Sequence, residues 1–166
     1  MSAIAVRVYR DRIEVAADSI CTSSEQTMIN DAERKCSKLF RHKDILVGGA
    51  GRSAEIGLLR RYMKDHELQD LNEDSILEFL IGFMKQKSNI PNDDGKIHNR
   101  YIFASAGKCY STCDLFVFKV DDYYAIGAGD DFARGALYMG ASPKEAVRAA
   151  CHMCVYATEP IQVESI

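Results

Sequence analysis

Apolar residues recur with two different periods along this chain, and the changes of period divide it into elements. Residues 3–17 are rich in Val and Ile around a charged Arg10, Asp11 and Arg12, which predicts two strands joined by a turn. Lys38, Leu39 and Phe40 precede a polar stretch, residues 41–44, and Ile45, Leu46 and Val47 follow it, predicting a second pair. Gly48, Gly49, Ala50 and Gly51 then stop the strand. Within 52–67, Ile56, Leu59 and Met63 stand at helical spacing. A glycine-rich turn between strand and helix lets a ligand come close to the backbone.

Asn72 is placed to cap a second helix whose Ile76, Phe79, Leu80, Phe83 and Met84 form one buried face. The segment 88–100 holds Pro91, Asn92, Asp93, Asp94 and Gly95 and reads as a surface loop. Strands are predicted over 101–106 and 115–126, the latter broken at Asp121 and Asp122 by a hairpin turn. Residues 127–131 close that strand and open a short helix ending near Gly140. Ser142, Pro143 and Glu145 supply a cap, a proline at the first helical position and the glutamate of a capping box. A last strand starts at Ile161.

The order of strands, two helices, strands, two helices and strand suits an α+β protein of two antiparallel sheets packed face to face with helices outside. Periodicity alone does not choose among the α+β folds that share this order. The three prolines (Pro91, Pro143, Pro160) fall at element boundaries, no repeat or linker divides the chain, and 166 residues make one ordinary domain, here residues 1–166.

Composition narrows the partners. Hydrophobic residues form 47% and charged ones 27%, the balance of a water-soluble globule. A net charge of −3 gives no electrostatic reason to expect nucleic acid or an anionic membrane. Residues 1–12 carry three arginines and an aspartate, which breaks up the apolar core a secretory signal needs, so cytoplasmic residence is the simplest expectation. The six cysteines are then expected to be reduced. Cys109 with Cys113, and Cys151 and Cys154 with His152, could be assembled into a metal site. Cys151 and Cys154 instead share a helical pattern with Val147, Ala150 and Met153 that reads as a core stripe, and neither a metal nor a cofactor is expected.

Six segments in order carry a family resemblance: Ile4-Ala5-Val6-Arg7, Val15-Ala16-Ala17-Asp18-Ser19, Arg34-Lys35, Val47-Gly48-Gly49-Ala50-Gly51, Tyr124-Ala125-Ile126-Gly127-Ala128-Gly129, and residues 156–166. Together they resemble the proteasome β-subunit family of N-terminal-nucleophile hydrolases, with the HslV-type bacterial peptidases nearest. The resemblance implies a four-layer αββα sandwich (the Ntn-hydrolase fold) assembled into homo-oligomeric rings that take peptides or unfolded protein, and it admits an ATPase unfoldase as partner.

In that family the mature N-terminal residue is the nucleophile and its own α-amine the general base. Counting back without a gap from Asp18 places the nucleophile at Ser2 once Met1 is removed. A hydroxyl is a poor nucleophile at neutrality, and an amine of pKa roughly 8 can take its proton. By resemblance, Lys35 is the lysine beside that amine, with Lys38 the alternative in a second register, and Asp18 pairs with the lysine. Gly48 is expected to turn its N–H toward the developing oxyanion, while Leu46, Ala50 and Cys21 line the substrate pocket. The chain departs from the family where it carries Ala128, Cys154 and Ala157 in place of a serine, an aspartate and a hydroxyl residue. Those departures support an alternative, a ring-forming scaffold with impaired catalysis. A small-molecule amidohydrolase of related fold is a third reading.

Overall fold

The computed structural model describes residues 2–21 and 37–166. Strand β1 (Ile4–Val8) and β2 (Ile13–Ala17) form the first hairpin, pairing Ile4 with Ala17 and Val8 with Ile13. Strand β8 (Tyr123–Ile126) pairs with the other edge of β1, and β9 (Gln162–Ser165) with β2, giving a four-stranded antiparallel sheet in the order β8-β1-β2-β9. The second sheet has five strands in the order β3 (Leu39–His42), β4 (Ile45–Ala50), β5 (Arg100–Ser105), β6 (Lys108–Cys113) and β7 (Phe116–Lys119).

Four helices complete the molecule. Helix α1 (Ser53–Asp65) follows β4 directly, and α2 (Glu73–Lys87) starts where the Asn72 side chain accepts from the Ser75 N–H at 2.9 Å. Helix α3 (Asp130–Tyr138) follows β8, and α4 (Pro143–Met153) begins with the predicted capping box, Ser142 and Glu145 satisfying each other's backbone donors around Pro143.

Three apolar clusters show how these layers stack. Odd positions of β4, Ile45 and Val47, join Leu59, Met63, Ile76, Leu80 and Phe83 between the five-stranded sheet and α1 and α2. Even positions, Leu46 and Ala50, join Ile4, Val6, Val15 and Ile102 between the two sheets. The period of two along a strand sorts the residues in this way. The outer face of the four-stranded sheet is lined by Ala3, Ala5, Ala16 and Ala125, which meet Ala146, Val147 and Ala150 of α4 and Leu137 of α3. Small side chains there let helix and sheet approach closely. The result is a four-layer αββα sandwich, the Ntn-hydrolase fold.

Two expectations change. The segment 108–113 is strand β6, and its Cys109, Tyr110, Ser111 and Thr112 are all buried, so the alternation that marks a half-exposed strand is missing. The break at Asp121 and Asp122 is not a hairpin turn: β7 pairs with β6 and β8 with β1, so the chain there crosses from one sheet to the other, held by the Val8 N–H on the Asp122 carbonyl at 2.6 Å. Ile56, Leu59 and Met63, the helical stripe of α1, are buried in the core beneath the five-stranded sheet.

The described cysteines are distributed through the layers, with Cys109 between the sheets and Cys151 packed against the α3–α4 layer. Among the described residues no three His, Cys, Asp or Glu side chains gather as a metal site. Nor is any described helix long and apolar enough to cross a membrane.

Candidate active site

Ser2 lies at the entry to β1 and is fully buried, and its placement is fixed by glycines that follow the neighbouring strand β8. Its carbonyl accepts the Gly129 N–H at 3.1 Å. Gly127 sits at φ +105°, and a Cβ built there would stand 2.3 Å from the Ser2 carbonyl oxygen. Only glycine combines that backbone with that approach. The motif Gly127-Ala128-Gly129 thus closes over the start of β1.

Across the β1–β2 ladder, Asp18 ends β2 fully enclosed and its two oxygens are saturated by donors. Oδ1 accepts the Ala3 N–H at 2.8 Å and the Lys38 ammonium at 2.6 Å. Oδ2 accepts the Ile20 N–H at 3.0 Å and the Thr158 N–H at 3.4 Å. Burial of an ion pair is tolerated when its remaining hydrogen-bonding capacity is filled in this way. One carboxylate therefore ties together the residue after Ser2, the end of β2, the loop before β9 and a lysine delivered by the other sheet. That lysine is Lys38, immediately before β3; Lys35 lies outside the described residues.

The positions at which the chain departs from the family it resembles also converge. The Cys154 thiol points at the Ala128 carbonyl, 3.6 Å away, and the Ala157 N–H donates to the Cys154 carbonyl at 3.2 Å. Gly129 is pressed between Ala3 and Ala150, with Cys154 just beyond. The Cys151 thiol, one turn back along α4, is pushed up to about 12 by burial first and then by the Asp18 and Glu159 charges.

At the end of β4 the ladder assigns each N–H. Gly49 donates to the Lys38 carbonyl at 2.9 Å, so at Gly49 the strand faces β3. Alternation turns the Gly48 N–H the other way, toward its partner Ile102 in β5. A Cβ at Gly48 would touch Leu39, Ile4 and Val15, so the residue is enclosed between the sheets. Gly48 therefore does not present its N–H to an oxyanion here. Leu46 is likewise fully buried in the inter-sheet core rather than lining an open pocket. Ala50 closes β4 on the same inner face, and Cys21 reaches the start of α1, its sulfur 3.5 Å from the Ser53 hydroxyl.

The turn after β4 was not singled out from the sequence as a donor. Alternation directs the Ala50 N–H to Arg100, and the Arg52 N–H is held by the Asn99 side chain at 2.6 Å. No acceptor for the Gly51 N–H is found among the described residues. Helix α1 begins two residues later without a side-chain cap, so its positive end adds to the donors of this turn.

Similarity to solved structures follows this architecture over almost the whole chain. The BPH of Thiobacillus denitrificans in complex with epoxomicin shares 18% identity at a TM-score of 0.85, covering 99% of this chain and 97% of that one. A second structure of the same BPH gives 19% identity and 0.84 over the same shares. Eukaryotic HslV from Trypanosoma brucei gives 21% and 0.71, with 98% of each chain covered. The fold is proteasome-like. No protein-family model and no curated protein matches the sequence. Within this fold the Ala3 N–H and the Lys38 ammonium both donate to Asp18, which sets Ser2, one residue before Ala3, at the end of β2 where the lysine before β3 arrives.

Proposed function

We propose that the protein is an N-terminal serine peptidase whose nucleophile is Ser2 and whose general base is the α-amine that Ser2 gains when Met1 is removed. The observation that carries this reading is the buried Asp18–Lys38 pair bonded to the Ala3 N–H, one residue from Ser2.

The amine takes the Ser2 hydroxyl proton, directly or through one water, as Oγ bonds to the carbonyl carbon of the scissile peptide. The carbonyl oxygen becomes an oxyanion, and we assign its donor to the Gly51 N–H at the positive end of α1 instead of Gly48. Collapse of the adduct expels the amine half of the substrate, which leaves with the proton held by the terminal ammonium. Water then attacks the Ser2 ester, giving up a proton to the same amine, and the acid half departs as the ammonium returns that proton to the Ser2 Oγ, restoring the hydroxyl and the free amine. Throughout, the Lys38 charge disfavours protonation of the resting amine and stabilises the anionic adduct, while Asp18 fixes the lysine in place. Peptides or unfolded segments are the substrates and a homo-oligomeric ring is the assembly.

A second reading, a ring subunit with impaired catalysis, is favoured by one observation. Ala128 and Cys154 meet each other where the family has serine and aspartate, so two groups that would carry protons to and from the amine are missing.

The deciding experiment uses protein made without an N-terminal tag: intact mass, hydrolysis of fluorogenic peptides, and covalent capture by a peptide boronate. Mature protein starting at Ser2, with hydrolysis and capture both lost in Ser2→Ala, is expected. Retention of Met1 throughout, or hydrolysis unchanged in Ser2→Ala, overturns the peptidase reading.

A further inference from the structure

A buried polar network stands behind the turn after β4, and the peptidase chemistry above does not use it directly. Glu55, in the first turn of α1, and Lys87, in the last turn of α2, are each 3% exposed at the side chain and pair at 2.8 Å. Lys87 also donates to the Lys96 carbonyl. The Glu55 carboxylate accepts the His98 N–H, the Asn99 N–H at 3.1 Å and the Tyr101 hydroxyl at 3.0 Å. Asn99, 1% exposed, then grips Arg52 at both ends of its peptide frame, its Oδ1 accepting the Arg52 N–H at 2.6 Å and its Nδ2 donating to the Arg52 carbonyl at 3.0 Å. Gly51 fits against this side chain with no room to spare, since a Cβ there would lie 2.1 Å from Asn99 Oδ1, and its φ is +141°.

Enclosing a carboxylate and an ammonium is costly, and hydrophobic residues of equal volume would stabilise the fold at least as well. The network's product is positional: it fixes the loop before β5 against α1 and α2, and through Asn99 it fixes the backbone that carries the Gly51 N–H. We infer that Asn99 is a positioning residue, its amide clamping Arg52 so that the Gly51 N–H is held toward the oxyanion. This rests on the peptidase reading and on Gly51 as the donor. Preorganised donors act through such exact placement, and losing one, or moving it by an ångström, costs about 100-fold in rate.

The test compares wild type, Asn99→Ala and Asn99→Asp as full-length, Ser2-starting protein, recording thermal midpoint, kcat and KM on a fluorogenic peptide, and the inhibition constant of a peptide boronate, whose adduct carries the oxyanion. Asn99→Ala is expected to lose about 100-fold in kcat, with KM within about twofold and boronate affinity reduced in step with kcat. Asn99→Asp keeps the acceptor for the Arg52 N–H but sets an oxygen against the Arg52 carbonyl, so it should fall between the two while remaining isosteric and folded. A purely structural role would lower the thermal midpoint and leave kcat per folded molecule alone. Folded variants with wild-type kcat, or a loss seen in KM with kcat unchanged, refute the positioning role and leave the peptidase standing. A Ser2-starting wild type that neither hydrolyses peptide nor captures the boronate refutes the peptidase and this inference with it.

Discussion

Lys38 reaches from the five-stranded sheet to Asp18 in the other sheet, Nζ to Oδ1 at 2.6 Å, with both side chains enclosed. Removing one member of such a pair leaves a buried charge without its counter-ion, at a cost of about 3–5 kcal/mol. Lys38→Ala should therefore abolish peptide hydrolysis and also lower the denaturant midpoint, as followed by urea titration and a fluorogenic assay. Lys35→Ala is the paired control, expected to be the milder change in both readouts. A reversed ranking would return the catalytic lysine to Lys35.

Gly127 is the tightest point around the proposed nucleophile. In Gly127→Ala the new methyl would have to share space with the Ser2 carbonyl, 2.3 Å away, at a backbone angle of +105°. The entry to β1 must shift, and kcat should fall at least tenfold together with a lowered thermal midpoint. Gly57→Ala, where a Cβ meets nothing within 4 Å, is the control that should change neither.

Much of this architecture was legible because local chemistry and tertiary demand agree. The Ser142-Pro143-Glu145 box, the Asn72 cap and the β1–β2 and β3–β4 hairpins all form where their residue types direct. Strand β6 was not legible: its Thr112 hydroxyl accepts the Tyr101 N–H inside the sheet, so polar side chains occupy buried positions that patterning reserves for apolar ones. Glu55, Lys87 and Asn99 were missed for a related reason, since charged and amide side chains default to the surface unless their partners are known. Gly48 is the oxyanion donor that the resemblance implies, and residue type alone does not orient its N–H. Which way its N–H turns depends on the phase of the β3–β4–β5 ladder, set here by Gly49 on Lys38.

Burial pushes the Cys109 thiol up to about 12 from its ordinary 9.0. Between those values the unfolded chain has released a proton that the folded chain keeps, so stability that is complete below pH 9 is withdrawn as pH rises toward 12, by at most about 1.4 kcal/mol per pH unit for this group. Cys151 and Tyr62, both raised by burial, act in the same direction. Urea midpoints at pH 8, 9 and 10 should decline, and Cys109→Ala should show a shallower decline. An identical slope in the variant would mean that Cys109 ionises freely in the folded state.

Apolar side chains remain exposed at the end of α3 (Tyr138, Met139) and just after α4 (Val155, Tyr156), and Phe116 protrudes from β7. The proposed ring would cover part of this surface. Size-exclusion chromatography with light scattering should give a mass of six or more subunits. A mass near 18.5 kDa at micromolar concentration would count against the chamber peptidase and the ring scaffold alike.

The contact between Cys154 and Ala128 gives the most direct test of whether the family-divergent positions limit catalysis. A thiol 3.6 Å from a carbonyl is a weak donor on a weak interaction, and a methyl group at Ala128 offers nothing to an amine. Ala128→Ser would supply a hydroxyl beside Gly127 and Gly129, the residues that contact Ser2, and Cys154→Asp a carboxylate to orient it. Ser2→Thr adds a methyl that restricts the first side-chain torsion and so holds the nucleophilic oxygen more firmly. The added carboxylate also favours the protonated amine, so the activity profile of the triple variant should shift toward higher pH as its maximal rate rises. General acid–base groups of this kind contribute about 100-fold or more where proton transfer limits the rate. We expect a gain of at least tenfold in kcat for the triple variant, smaller gains for Ala128→Ser or Cys154→Asp alone, and no change in assembly. A correctly processed, ring-forming triple variant with no gain would mean that proton transfer at Ser2 does not limit turnover and that the active site lies elsewhere in the molecule.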